Sequence, residues 1–299
     1  MNKNKPSLIV ILGTNASGKS SLGIRLAKKF NGEIVSADSR QVYKGLDIGS
    51  GKVTKTEQEA IPHYMLDVVK PNTEFSLARY QKLAFSAIDN ILKRKKLPFL
   101  VGGTGLYIQA ICDNLNIPKV KPNKKLRKKL EKLSLKELQK KYKKIDLDSY
   151  NKIDNKNSRR LIRAIEVVKS TGKSFWKQRQ KKEAKYNCLK IGVTHPLNIL
   201  EERIKVRLEK RLRQGLIKEV KDLLESGTRY RRLYDFGLEY RRVAQYLKGE
   251  LTRQEMEELL YKNICQFAKR QMTWFKRDKE IIWVKSSDEE AEGLIENFL

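Results

Sequence analysis

Leu8-Ile-Val-Ile-Leu12, followed at once by Gly13-Thr-Asn-Ala-Ser-Gly-Lys-Ser20, is the stretch that decides the fold. A short apolar run rich in β-branched residues predicts a buried strand. The residues after it fit the pattern G-x-x-x-x-G-K-[ST], with Gly13, Gly18, Lys19 and Ser20 in the defining places. Gly13 and Gly18 permit a backbone path whose N–H groups point inward around an oxyanion, with Thr14, Asn15, Ala16 and Ser17 completing the binding loop between them. Lys19 adds a point charge, and the Ser20 hydroxyl suits Mg²⁺. Ser21–Lys29 then reads as the helix whose N-terminus completes the anion site. The loop therefore predicts a bound polyphosphate. It does not name a reaction.

Outward from that loop, further strand-like runs occur at Glu33–Ala37, Tyr64–Val69, Phe99–Val101, Leu189–Val193 and Ile281–Val284. Helical patterns lie between most of them, which predicts an α/β fold: a P-loop NTPase-like core with a mostly parallel sheet flanked by helices. Between Pro118 and Asn187 the character changes. Leu126, Leu130 and Leu133 mark one basic amphipathic helix. Ser134 and Glu137 form a capping box for a second, with Leu138 and Tyr142 on its apolar side. We read residues 118–187 as a helical insertion domain and residues 1–117 with 188–299 as the core. Pro196 opens a long helix with Leu200, Ile204, Leu208, Leu212 and Val220 on one stripe, ending at Gly227. Thr252 and Glu255 cap another that runs to about Arg277. The Lys177–Lys185 run reads as a mobile loop.

The chain carries 65 Lys and Arg against 35 Asp and Glu, a formal charge of +30 over 299 residues. Such an excess favours polyanionic partners. An AT-rich genome would also enrich lysine, so placement matters more than the total. Residues 121–144 hold twelve Lys and Arg and two Glu, and Arg159, Arg160 and Arg163 follow. This concentration on the insertion points to nucleic acid. No apolar run approaches the ~20 residues of a membrane span, and Met1–Pro6 leads straight into a strand without a signal peptide. Cys112, Cys188 and Cys265 are far apart, and only His63 and His195 accompany them, so neither a disulfide framework nor a zinc site is expected. These features predict a cytoplasmic protein with no membrane partner.

Glu33–Ala37 ends beside Asp38, at the carboxyl edge of the sheet, where open α/β sheets bind ligands. A carboxylate there serves as a general base, as a partner in a metal site, or simply as a helix cap. Here the sequence resembles a known family. GTNASGKS, SADSRQVYKGLDIGSGK, PHYMLDVV, LVGGTGLY, RRLIRAIEV and FAKRQMTWF match, in order and over nearly the whole chain, the bacterial type of tRNA dimethylallyltransferase.

The resemblance implies that the loop holds the diphosphate of dimethylallyl diphosphate rather than hydrolysing a nucleotide. The five-carbon group would pass to the exocyclic amine of the adenosine 3′ of the anticodon, in tRNAs reading UNN codons. It implies Mg²⁺ as cofactor, the tRNA anticodon stem-loop as partner, and a monomer. Carried over by position, Asp38, Thr104 and Arg207 are catalytic, with Arg203 one turn before Arg207. The residues contacting tRNA are Asp38, Ser39, Arg40, Gln41, Thr104 and Arg127, together with Arg159, Arg160, Leu161, Ile162 and Arg163.

The chain departs from the family pattern at Thr14-Asn15, where Pro-Thr is usual, at Ser20 for Thr, and at Ile264-Cys265 for Thr-Arg. The usual Gly-Tyr-Arg/Lys turn reads as Gly237-Leu-Glu-Tyr-Arg241, two residues longer, which leaves the contacts of residues 232–241 open. The 299 residues hold no zinc-finger segment like that of eukaryotic members, so a bacterial-type member is expected. Two other readings compete. One is an adenylate isopentenyltransferase acting on free AMP, ADP or ATP, which has less use for a basic insertion. The other is a P-loop RNA-binding ATPase or small-molecule kinase, which requires an Asp after an apolar strand; Asp67 is the candidate.

Overall fold

The computed structural model describes residues 5–178, 180–285 and 288–299. Among the described residues six strands form one sheet: β1 (Ser7–Gly13), β2 (Gly32–Ser36), β3 (His63–Tyr64), β4 (Leu97–Gly102), β5 (Asn187–Val193) and β6 (Ile281–Val284). Their order is β3-β2-β4-β1-β5-β6, and every neighbouring pair is parallel. β1 is central, in register with β4 from Ile9 opposite Phe99 and with β5 from Ser7 opposite Asn187.

Both faces of β1 are covered, which is why it reads as a continuous apolar run. Leu8, Val10 and Leu12 join one core, and Ile9 and Ile11 join the other. That split follows from the two-residue period of a strand. Helix Lys19–Lys29 packs Leu22 and Leu26 on the second face, beside Ala291 and Ile295 of helix Asp288–Glu296. The first face carries helix Leu77–Lys93 and helices of the later half of the chain.

The chain divides into two compact units, residues 1–112 with 185–299, and residues 113–184. The second therefore begins at Asp113 and ends at Ala184, each a few residues earlier than the breaks expected at Pro118 and Asn187. It has its own core of Leu130, Leu138, Tyr142, Leu161, Ile162, Ala164 and Ile165. The Ser134–Glu137 capping box is formed and starts helix Leu135–Ile145. Leu133 falls outside helix Lys124–Leu130. In the Lys177–Lys185 run, Lys181 bridges Leu115 and the Lys182 N–H donates to the Asn114 carbonyl; residue 179 lies outside the described residues.

Three expectations need correction. The strand over Tyr64–Val69 is only His63–Tyr64, because Met65 and Asp67 take φ of 66° and 53° and break the extended chain. The helix expected from Pro196 to Gly227 is two, Leu197–Arg213 and Leu216–Glu225. Gly215 breaks it at φ 99°, a conformation that only glycine takes without strain. The lengthened turn at Gly237–Arg241 is largely helical, since helix Leu238–Leu247 begins immediately after Gly237.

Candidate active site

The phosphate loop is held from outside by its carbonyls. Arg203 Nε donates to the Ala16 carbonyl at 2.8 Å, and His195 Nε2 lies 2.9 Å from the Ser17 carbonyl. With that carbonyl turned to His195, the planar trans peptide directs the Gly18 N–H to the opposite side. Lys19 Nζ donates to the Thr14 carbonyl at 3.1 Å. Gln271 joins two loops: its Oε1 accepts from the Asn15 N–H at 2.9 Å, and its Nε2 donates to the Gly103 carbonyl at 2.9 Å. Ser17 Oγ is buried without a hydrogen-bond partner. It lies under the loop, where a Cβ on Gly13 would meet both Ser17 Oγ at 2.7 Å and the Val193 carbonyl at 2.6 Å.

β2 and β4 end beside this loop. The Thr104 N–H donates to the Ala37 carbonyl at 3.0 Å, and Thr104 Oγ1 accepts from the Ser39 N–H at 3.1 Å. Asp38 caps its own turn: Oδ1 accepts from the N–H groups of Arg40 at 2.7 Å and Gln41 at 3.4 Å. Both bonds use one oxygen, which leaves Oδ2 to accept a proton. Cap and base are therefore compatible in one carboxylate. Ser36 Oγ donates to Gln41 Oε1 and Gln41 Nε2 donates to the Gly51 carbonyl, while Arg40 Nε donates to the Phe236 carbonyl. In this structure Arg40 and Gln41 set the loop that carries Asp38.

The site is strongly cationic. Desolvation first, then repulsion from Arg207 and, more weakly, Arg211, opposed by Asp38, lowers Lys19 from 10.5 to about 8. Arg207 is lowered to about 10, first by desolvation and then by Arg211. Positive charge held at such cost in a poorly solvated place marks a site for an anion. Among the described residues no three or more His, Cys, Asp or Glu are grouped to hold a metal ion. A Mg²⁺ ion that keeps water and substrate phosphates as most of its ligands needs only one or two from the protein, and the Ser20 hydroxyl on the first helical turn fits that demand.

The predicted tRNA-contacting residues of the insertion behave differently from one another. Glu166, fully buried, accepts Arg127 through Nε at 2.8 Å and Nη2 at 2.7 Å, the Asn123 N–H at 2.7 Å, and Arg163 Nη1. Arg127 and Arg163 thus brace the unit's own fold. Leu161 and Ile162 pack into its core. Arg159 and Arg160 are exposed. Asp67, the aspartate a kinase or ATPase would need, follows the two-residue edge strand β3 and pairs with Lys52 Nζ at 2.6 Å.

Sequence reasoning missed Gln271, His195, Arg211 and Glu239. Gln271 lay in the quoted FAKRQMTWF block, which marked its importance without its task. Arg211 and Glu239 carry no motif; Glu239 falls inside the lengthened Gly237–Arg241 turn.

A family model described as IPP transferase matches residues 41–278, more than half of the chain. The chain belongs to this family of transferases. A tRNA dimethylallyltransferase of Halothermothrix orenii is 45% identical over 288 residues, covering 94% of this chain and 88% of the relative. One from Pelotomaculum thermopropionicum is 42% identical over 289 residues, 95% of this chain and 92% of its own. The crystal structure of a tRNA isopentenylpyrophosphate transferase from Bacillus halodurans aligns with TM-score 0.73 at 35% identity, over 98% of this chain and 95% of that one. A eukaryotic dimethylallyltransferase acting on tRNA aligns with TM-score 0.82 at 26% identity, over 98% and 79%.

Proposed function

We propose that the protein transfers the dimethylallyl group of dimethylallyl diphosphate to N6 of the adenosine 3′ of the anticodon, in tRNAs reading UNN codons, in the cytoplasm. The observation that carries this reading is a desolvated cationic phosphate loop lying beside a carboxylate with one oxygen to spare, in a member of the transferase family. Dimethylallyl diphosphate puts its leaving group on residues 13–20, Lys19 and Arg207. N6 attacks the allylic carbon, the carbon–oxygen bond breaks, and its electron pair leaves on the diphosphate. The N6 proton passes to Asp38 Oδ2, while the Thr104 hydroxyl, already accepting from Ser39, keeps its hydrogen for the substrate. The adenine reaches this point by leaving its stack, as substrates of base-modifying enzymes do. A Mg²⁺ ion held by Ser20 and the diphosphate would neutralise the departing charge. Preorganised charge around a leaving group is a large source of catalysis.

Asp38→Ala tests the assignment. It should bind tRNA nearly as well as wild type and transfer roughly 10²–10⁴-fold more slowly, the usual worth of a general base. Wild-type turnover in that variant would reduce Asp38 to its turn-capping role.

A further inference from the structure

Arg211 lies one turn beyond Arg207 in helix Leu197–Arg213 and is 6% exposed. Its Nη1 donates to Glu239 Oε1 at 2.8 Å, with both side chains almost completely buried. Its Nη2 is buried and has no partner. Planar guanidinium is rarely left half satisfied in a protein interior, because the unmet donor costs its full desolvation. This Nη2 also faces another cation. A Cβ placed on Gly51 would lie 2.1 Å from Arg211 Nη2 and 2.1 Å from Arg207 Nη2, so the two nitrogens are at most twice that distance apart. Gly51 is what leaves that space empty. Arg207 and Arg211 further line a small pocket with Asn15 and Ala16 of the phosphate loop, closed by Ile204 and Leu208. It has room for little more than a water-sized atom, such as one phosphate oxygen. Glu239 supplies one negative charge to this group, while Lys19 and Arg207 add to the positive side.

We propose that Arg211 is a second arginine contact for the diphosphate, with one prong fixed by Glu239 as a positioning residue and the other aimed at a phosphate oxygen between Arg207 and the phosphate loop. This rests on the reading of the loop as a diphosphate site. An ion pair that served only to join two helices would need no orphaned donor turned toward a neighbouring cation. Bound diphosphate would satisfy Nη2 and separate the two guanidinium charges at once.

The test is pyrophosphate binding by the full chain, measured by calorimetry at neutral pH with Mg²⁺. The double variant Arg211→Met, Glu239→Leu removes both charges and leaves no buried ion or amide unpaired. Replacing a buried ion pair in this way is often neutral for stability. It should bind pyrophosphate about 10- to 100-fold more weakly, the loss expected for a charge-assisted hydrogen bond. Its affinity for tRNA should stay within about twofold, because a pocket of about 10 Å³ is too small to admit a polynucleotide backbone. Arg211→Lys keeps the pair with Glu239 but gives up the second prong, so it should fold as wild type does and still lose several-fold. Wild-type pyrophosphate affinity in either folded variant would overturn the proposal and make the pair a helix staple. Failure of the wild-type protein itself to bind pyrophosphate would overturn the functional reading and this contact together.

Discussion

Lys19 is the residue on which the electrostatics turn. Its ammonium is lowered to about 8 by desolvation and neighbouring arginines, against an ordinary value of 10.5. A diphosphate laid on the loop reverses that balance and raises it again. Between about pH 8 and the value reached in the complex, binding therefore takes up a proton, and affinity falls by up to about tenfold per pH unit. A diphosphate monoester is already fully ionised in this window, so the donor itself is the right probe. Affinity for dimethylallyl diphosphate should decline from pH 8 to 9 in wild type and not in Lys19→Ala; a flat wild-type profile would show that Lys19 is not desolvated. For folding without ligand the sign is opposite. A base whose folded value is depressed costs stability below pH 8, and that cost fades as pH rises from 8 toward 10.5. Much of this site was legible at the residue scale because the motif is contiguous from Gly13 to Ser20 and Asp38 follows a strand end. Gln271 and Arg211 were not, since their contacts span 256 and 28 positions. Local patterns do not encode such partners.

Helix Ser158–Thr171 shows how an element can mislead. Its RRLIR run reads as an RNA-facing basic stretch, yet Arg163 turns to Glu166 on the same helix, and Arg127 reaches it from helix Lys124–Leu130. Burial alone would raise the Glu166 carboxyl. Hydrogen bonds from Arg127, the Asn123 N–H and Arg163 overcome that and hold it below the usual carboxylate range. Its contribution is complete above the ordinary value near 4.5 and is lost as pH falls through the folded value. Glu166→Gln should destabilise the 113–184 unit by about 2–3 kcal/mol at neutral pH, the worth of hydrogen bonds to a buried charge. Hydrogen exchange resolved by segment would show the loss in residues 113–184 and little change in the sheet. Equal protection in both proteins would mean the cluster is effectively solvated. Alanine at Arg127 or Arg163 would likewise disturb the fold, so RNA contact is better probed at Arg159 and Arg160. The capping box at Ser134 was readable because it is a four-residue pattern. The break at Gly215 was not, because the apolar stripe continues across it to Val220.

At the scale of the whole molecule, a strongly basic chain combines a parallel sheet carrying the Gly13–Ser20 loop with a separately cored helical unit. The order of strands and helices along the chain was enough to predict the sheet, because each βα alternation constrains its neighbours. The edge was the weak point: β3 is two residues long and pairs with β2 only at Ile34 and Val35, and beyond it Val69 makes a single isolated bridge with Tyr43. What separates a tRNA prenyltransferase from a nucleotide kinase is the chemistry run on the loop, and product analysis reads that directly. Unmodified tRNA with an anticodon for UNN codons, dimethylallyl diphosphate and Mg²⁺ should be incubated with the protein, and the digested nucleosides weighed by mass spectrometry. The account predicts adenosine carrying one dimethylallyl group in place of one N6 hydrogen, at the position 3′ of the anticodon, with diphosphate released and no ATP needed. Unchanged tRNA alongside prenylated free adenylate, or turnover that requires ATP hydrolysis, would contradict it.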